Sequence, residues 1–193
     1  MSKRPFLTAQ WRHLAILNYL VEPSLLGGLV PRGTELDAWQ GRTYVSVVGF
    51  LFLNTRILGV PVPFHRHFEE VNLRFYVRRE AEDGWRRGVV FVKELVPKRA
   101  IAWVARAVYN ENYVAVPMGH EIVRAEGSPL RTSEYHVQHP PWRVAAAMTS
   151  ELRCDVAELY GPAFTKPLST KPVSAFLAEG SEVAVDHAVR DIA

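Results

Sequence analysis

The segment Glu70-Val71-Asn72-Leu73-Arg74-Phe75-Tyr76-Val77-Arg78 decides the fold class. Its odd positions are Val, Leu, Phe and Val, and its even positions are Glu, Asn, Arg, Tyr and Arg. Successive side chains of an extended chain point to opposite sides. Strict period-two alternation therefore predicts a strand with one apolar and one polar face. Asp83-Gly84 follows as a turn signal. Residues 88–96 (GVVFVKELV) read as the return strand, apolar on both faces except at Lys93 and Glu94. The two form an antiparallel hairpin.

Outward from the hairpin, residues 43–53 (TYVSVVGFLFL) carry β-branched and aromatic residues on both faces, which predicts a central strand. Gly59, Pro61 and Pro63 then break the chain. Near the N-terminus, Thr8 is placed to cap a helix over residues 9–21, stopped by Pro23, with Trp11, Leu14, Ala15, Leu17 and Val21 as its apolar stripe. Gly27, Gly28, Pro31 and Gly33 mark a loop. Beyond the hairpin, Pro97 opens a new element. Ile101, Val104, Ala105 and Val108 fall at i, i+3, i+4 and i+7, so residues 98–110 read as an amphipathic helix. Short strands are expected at 112–116, 120–124, 133–139 and 142–148, a helix near 173–178 and a last strand near 182–185. With no repeat or low-complexity linker, residues 1–193 read as one mainly β, α+β domain.

Composition bounds the function. Of 193 residues, 48% are apolar and 22% charged, an ordinary globular balance. The single cysteine, Cys154, excludes an intrachain disulfide and any multi-cysteine metal site, and reads as a small apolar filler. The longest apolar run, residues 45–53, is far short of the roughly 20 residues a spanning helix needs. Lys3 and Arg4 start the chain as a signal peptide might. Arg12 and His13 then interrupt the apolar stretch, and no small-residue cleavage site follows. A soluble, cytoplasmic protein without a membrane partner is expected. The net charge of +3 comes from 18 Arg and five Lys against 20 acids. Arg74, Arg78, Arg79, Arg86 and Arg87 are diluted by Glu80, Glu82 and Asp83, so the cluster reads as a solvated hairpin rather than a nucleic-acid stripe.

Several side chains carry potential chemistry. His65-x-His67 places two imidazoles on one face if extended, enough to chelate a metal. Pro61 and Pro63 make the lead-in a loop, however, so no metal is expected. His120-Glu121-Ile122-Val123-Arg124 begins like a zinc-protease helix but has Arg124 where the second histidine belongs. The polar face Glu70, Asn72, Arg74, Tyr76 faces water in an open sheet, the reading the residues alone favour. In a closed barrel it lines a ligand site. Lys93, inside an apolar strand, is either a desolvated amine or an ion-paired one. Lys98 and Arg99 are adjacent cations at a helix start, where a second cation can activate a lysine amine. Such pairs are also common on solvated helix ends.

Val30-Pro31-x-Gly33-x-Glu35-Leu36-Asp37, Gly41-Arg42-x-Tyr44-Val45-Ser46, Phe68-x-Glu70-Val71-Asn72-Leu73-Arg74-x-Tyr76-Val77 and Arg87-Gly88-Val89-Val90-Phe91 together resemble the YqjF-like family of uncharacterised bacterial proteins. The resemblance covers residues 6–118, and His139-Pro140-Pro141-Trp142-Arg143 and Pro172-Val173-Ser174-Ala175-Phe176-Leu177-Ala178-Glu179-Gly180-Ser181 also fit. It implies a fold related to acetoacetate decarboxylase, a closed or split antiparallel β-barrel with a few flanking helices and an interior pocket. That moves weight to the inward reading of the Glu70 face. It also implies comparison with the decarboxylase's aromatic-x-Glu segment, here Phe68-x-Glu70, and its Pro-Lys-Lys segment, here Pro97-Lys98-Arg99. Longer members carry an extra stretch where this chain has only residues 119–133, so the domain reads as a shortened form.

The resulting expectation is a pocket for a small anionic or carbonyl-bearing organic molecule, lined by Asn72, Arg74, Tyr76 and Lys93, with Arg74 holding a carboxylate. An alternative is a Schiff-base lyase with Lys98 as nucleophile and Glu70 as its catalytic partner. A second alternative is a non-catalytic interaction module using the arginine-rich hairpin. No cofactor is expected. The oligomeric state stays open, a homodimer included.

Overall fold

The computed structural model describes residues 5–124, 131–139, 142–145 and 174–185. Long strands dominate it. β1 (Leu7–Leu20), β3 (Tyr44–Ile57), β5 (Phe68–Ala81) and β6 (Gly84–Val96) are joined by the short β2 (Glu35–Leu36) and β4 (Val60–Pro61). Among the described residues a single α-helix, α1 (Arg99–Tyr109), precedes β7 (Tyr113–Ala115), β8 (Met118–Arg124), β9 (Arg131–His139), β10 (Trp142–Ala145) and β11 (Ser174–Val185). The main sheet runs β11-β1-β3-β5-β6-β7, with β2 on β5 and β4 on β3; β10-β9-β8 form a second sheet. Among the described residues the main sheet is open: β11 and β7 are its ends, and no pairing closes it into a barrel. The mainly β, α+β class stands.

The alternation at residues 70–78 makes β5, flanked by β3, apolar over most of its length, and by the return strand β6. Glu82 and Asp83 form the turn, and Gly84 at φ +112° closes it in a backbone region that suits glycine. Each face of the sheet carries a core. On one, Leu17, Tyr19, Val45, Val47, Val71, Leu73 and Phe75 are buried together. On the other, Val48, Phe50, Phe52, Phe68 and Val96 pack with Ala102 of α1. Helix α1 ends at Asn110, which takes the left-handed conformation at φ +55° while its N–H donates to the Ala105 carbonyl. Its two buried residues are alanines, which bring the helix close to the sheet.

Two helix expectations are corrected. Residues 9–21 are strand β1, not a helix. A bulge between Arg12 and Ala15, with His13 at φ +55°, resets the alternation. Ala9 and Trp11 face the α1 side, whereas Ala15, Leu17 and Tyr19 face the other core. The phase change puts Trp11, Leu14 and Ala15 at helix-like spacing. Residues 174–178, expected as helix, open β11, whose Phe176 and Ala175 stand opposite Ile16 and Leu17 of β1. Of residues 119–133, those described lie in β8 and β9, which pair antiparallel, Arg124 standing opposite Arg131. Cys154 lies outside the described residues.

Candidate functional site

The polar face of β5 points inward. Glu70 and Asn72 are each only 2% exposed, and Arg74 and Tyr76 are half-buried. Register explains the company they keep. Asn72 stands opposite Val48 on β3 and Glu94 on β6. Glu94 in turn stands opposite Tyr113, because β6 and β7 run parallel across the α1 crossover. One row across four strands therefore reads Val48, Asn72, Glu94, Tyr113, with Glu70 one step along β5.

Hydrogen bonds knit this row. Asn72 Nδ2 donates to Glu70 Oε1 at 3.0 Å, and the Tyr113 hydroxyl donates to Glu70 Oε2 at 2.9 Å. Burial outweighs both bonds and pushes the Glu70 carboxyl up to about 7; the Glu111 charge adds to the rise and the Arg74 charge opposes it. Glu94, 4% exposed, is pushed up to about 9 by burial and by the charges of Glu70 and Glu111. Its Oε2 is buried without a hydrogen-bond partner. Burial also raises Glu111. Burial, with the Glu70 and Glu94 charges, raises Tyr113 well above the usual phenol range, so its hydroxyl stays a donor. Burial thus favours the protonated form of both carboxyls, and of Glu94 the more strongly.

Glu94, Glu111 and Tyr113 form one wall of a cavity of about 420 Å³ between α1 and the sheet. The rest is mainly hydrocarbon and aromatic: Trp11, Phe52 and Phe68 from the strands, and Ile101, Val104 and Tyr109 from the helix. Such a volume falls in the range of small-molecule sites. Val62 and His65 come from the β4–β5 connection.

The expected site residues divide. Glu70 and Asn72 are brought together behind the acidic wall. Arg74 lies over the Tyr76 ring, its guanidinium carbon 6.0 Å from the ring centre, and its Nε is buried without a partner. Tyr76 is tied at 2.6 Å to Ser46, which bonds Asn18, which donates to Ser174 at 3.0 Å. Lys93 stands opposite Leu73, on the face away from Asn72 and Glu94. Lys98 is the half-buried N-cap residue of α1, and its carbonyl accepts the Ala102 N–H. None of these six lines the cavity. His65 Nδ1 donates to the Pro63 carbonyl, and His67 Nδ1 accepts the Asn54 N–H. Glu69 pairs instead with His120, at 2.7 Å. Among the described residues no group of three or more His, Cys, Asp or Glu is placed to hold a metal ion.

Glu94, Glu111 and Tyr113 are the residues that sequence reasoning missed. A signal existed at Glu94, an acid inside the apolar run GVVFVKELV.

This arrangement, a mostly antiparallel sheet, open among the described residues, with a crossover helix over an acid-walled cavity, has the fold of acetoacetate-decarboxylase-like proteins. An acetoacetate decarboxylase-like enzyme from Sphingomonas wittichii RW1 matches with a TM-score of 0.55 at 12% identity, over 91% of this chain and 80% of that one. Acetoacetate decarboxylase from Legionella pneumophila matches with a TM-score of 0.52 at 14% identity, over 80% and 54%. The enduracididine biosynthesis enzyme MppR, complexed with the condensation product of pyruvate and imidazole 4-carboxaldehyde, matches with a TM-score of 0.55 at 16% identity, over 85% and 61%. At these identities the likeness is one of fold. In sequence, residues 8–128 match DUF2071, "Uncharacterized conserved protein", and the chain belongs to that family. Over 75 residues it is 36% identical to "Uncharacterized protein YqjF" of Bacillus subtilis (strain 168), a stretch covering 38% of this chain and 31% of that protein. The chain thus spans under a third of the length of this curated relative. No helix among the described residues is long and apolar enough to cross a membrane.

Proposed function

We propose that the cavity under α1 binds a small, largely apolar organic molecule through a carbonyl group, with Glu94 as the hydrogen-bond donor. The observation that carries this reading is the pairing of a hydrocarbon cavity with a carboxyl held protonated at its wall. A neutral carboxyl donates to a carbonyl oxygen as an ionised one cannot. The carboxyls of Glu111 in the wall and Glu70 behind it disfavour an anion there wherever they ionise, so the carbonyl half of the expected ligand class gains and the anionic half loses. MppR, which shares the fold, is described in complex with a pyruvate condensation product, which supports the same class. Acetophenone and its carbonyl-free analogue ethylbenzene test the reading. Acetophenone should raise the melting temperature more than ethylbenzene, and Glu94→Leu should erase the difference. Equal shifts in the native protein, or none, would sink it.

A second reading, a Schiff-base lyase using Lys98 with Glu70 as proton carrier, draws on one placement. Lys98 precedes Ala100 and Ile101, which line the cavity. Borohydride trapping with acetoacetate should label Lys98, and an adduct that survives Lys98→Ala would exclude it.

A further inference from the structure

Residues 55–68 read TRILGVPVPFHRHF: two arginines, two histidines and no acid. They form the end of β3, the tight turn into β4 and the connection to β5. At their tip Leu58 is 56% exposed, Val60 65% and Phe64 91%, three large apolar side chains within seven residues. Phe64 sits at φ +59°, a backbone conformation uncommon for a bulky side chain. Such a concentration of exposed apolar side chains in one short segment is the kind of surface that interaction sites use.

The chemistry around the tip narrows the partner. Arg56 hydrogen-bonds the Gly59 carbonyl and Arg66 the Asn54 side-chain oxygen, so both guanidinium groups spend their bonds on neutral acceptors. Among the described residues neither is drawn into an ion pair, so the tip offers hydrocarbon at its end and positive charge at its base. Its backbone also suits an apolar phase. Pro61 and Pro63 have no N–H to leave unpaired. The N–H groups of Leu58, Val62 and His65 donate to the carbonyls of Phe6, Thr55 and Val62, and Val60 pairs with Ile57. Inserting such a tip into lipid exposes few unsatisfied donors. The same segment supplies Ile57, Val62 and His65 to the wall of the apolar cavity, so whatever the tip touches lies beside the cavity's lining.

We infer that residues 58–64 dock this protein on an anionic lipid surface, Leu58, Val60 and Phe64 entering the headgroup boundary while Arg56 and Arg66 meet lipid phosphates. The lack of a long apolar helix bears on spanning a bilayer and leaves docking at its surface untouched. Docking there sets the cavity next to the phase into which a largely apolar ligand partitions. That last link rests on the cavity reading; the docking itself does not.

The test is co-sedimentation of the native chain with phosphatidylcholine vesicles, with and without phosphatidylserine. Binding should require phosphatidylserine and weaken as salt rises. Phe64→Ser, at a side chain the fold leaves in solvent, should weaken it roughly tenfold or more with an unchanged circular dichroism spectrum. Arg56→Gln with Arg66→Gln should flatten the salt dependence. No binding to phosphatidylserine vesicles, or binding indifferent to Phe64→Ser, overturns the inference. Concentration-dependent self-association lost in Phe64→Ser, without vesicle binding, overturns it in favour of a second copy of this chain. Acetophenone binding is read separately, so a dry cavity and an undocked tip give different results.

Discussion

The two faces of β5 are made by one strand and do different work. Val71, Leu73, Phe75 and Val77 enter a core of hydrocarbon with Leu17, Tyr19, Val45 and Val47. Glu70 and Asn72, equally hidden from water, enter a space that holds two more acids, a phenol and a cavity. Burying hydrocarbon is favourable, and burying carboxyls is costly unless they are bonded or neutral. The first face therefore stabilises the sheet. The second spends part of that stability on holding protons at raised pKa values.

The largest expected effect is on the hydrocarbon face. Phe75→Ala removes a fully buried ring and should cost about 3–5 kcal/mol in denaturant unfolding. A smaller loss there than from any single change on the acidic face would break the contrast.

Next comes pH. Glu94 has a folded pKa of about 9, above its ordinary value of 4.5, so the folded protein holds a proton that the unfolded chain releases. Its contribution is fully present below pH 4.5 and is lost as pH rises toward 9. Over that window stability should fall by up to about 1.4 kcal/mol per pH unit for this proton. Glu70, raised to about 7, adds a slope of the same sign that ends earlier. Glu94→Gln keeps the shape without the titration. Melting curves should show it level with the native protein in acid and more stable at pH 9, and parallel curves would show that Glu94 ionises freely. Tyr113→Phe should act less strongly. It removes one donor to Glu70, costs about 1–2 kcal/mol, and moves the Glu70 titration upward, because that bond favours the charged form.

The alternation at 70–78 made β5 legible without a structure, and the helix at 99–109 showed its 3.6-residue period. What hid was every place where a strand changes phase. The bulge near His13 disguised β1 as a helix. A second irregularity, between Leu73 and Arg74, hid the acidic wall. Counted back from the Ala81–Gly84 turn without it, the ladder sets Lys93 opposite Asn72 and Glu94 opposite Val71. The extra residue on β6 shifts the register by one, so Glu94 joins Asn72 and Lys93 joins Leu73. Tyr113 was further out of reach, since its place beside Glu94 depends on where β7 lands after the α1 crossover. The resemblance pointed to an inward Glu70 face, and Glu70 and Asn72 are indeed buried; of the closed or split barrel it implied, closure is not seen among the described residues.

The smallest expected effect lies at the far end of the same polar face, and it sharpens the comparison most. Arg78 shares the alternation of Glu70 and Asn72, yet it sits at the solvent end of β5. It pairs with Glu35 at 2.7 Å and lies 4.3 Å from the centre of the Trp85 ring. Both its partners are exposed, so water and salt screen the charge. Arg78→Ala should cost only about 0–1 kcal/mol, most of it recovered in high salt, and should leave the pH profile unchanged. Charge on this face matters where α1 excludes water and fades within eight residues along one strand. A large, salt-independent loss at Arg78 would mean that the face is buried along its whole length, and the contrast between a dry acidic end and a wet basic end would fail.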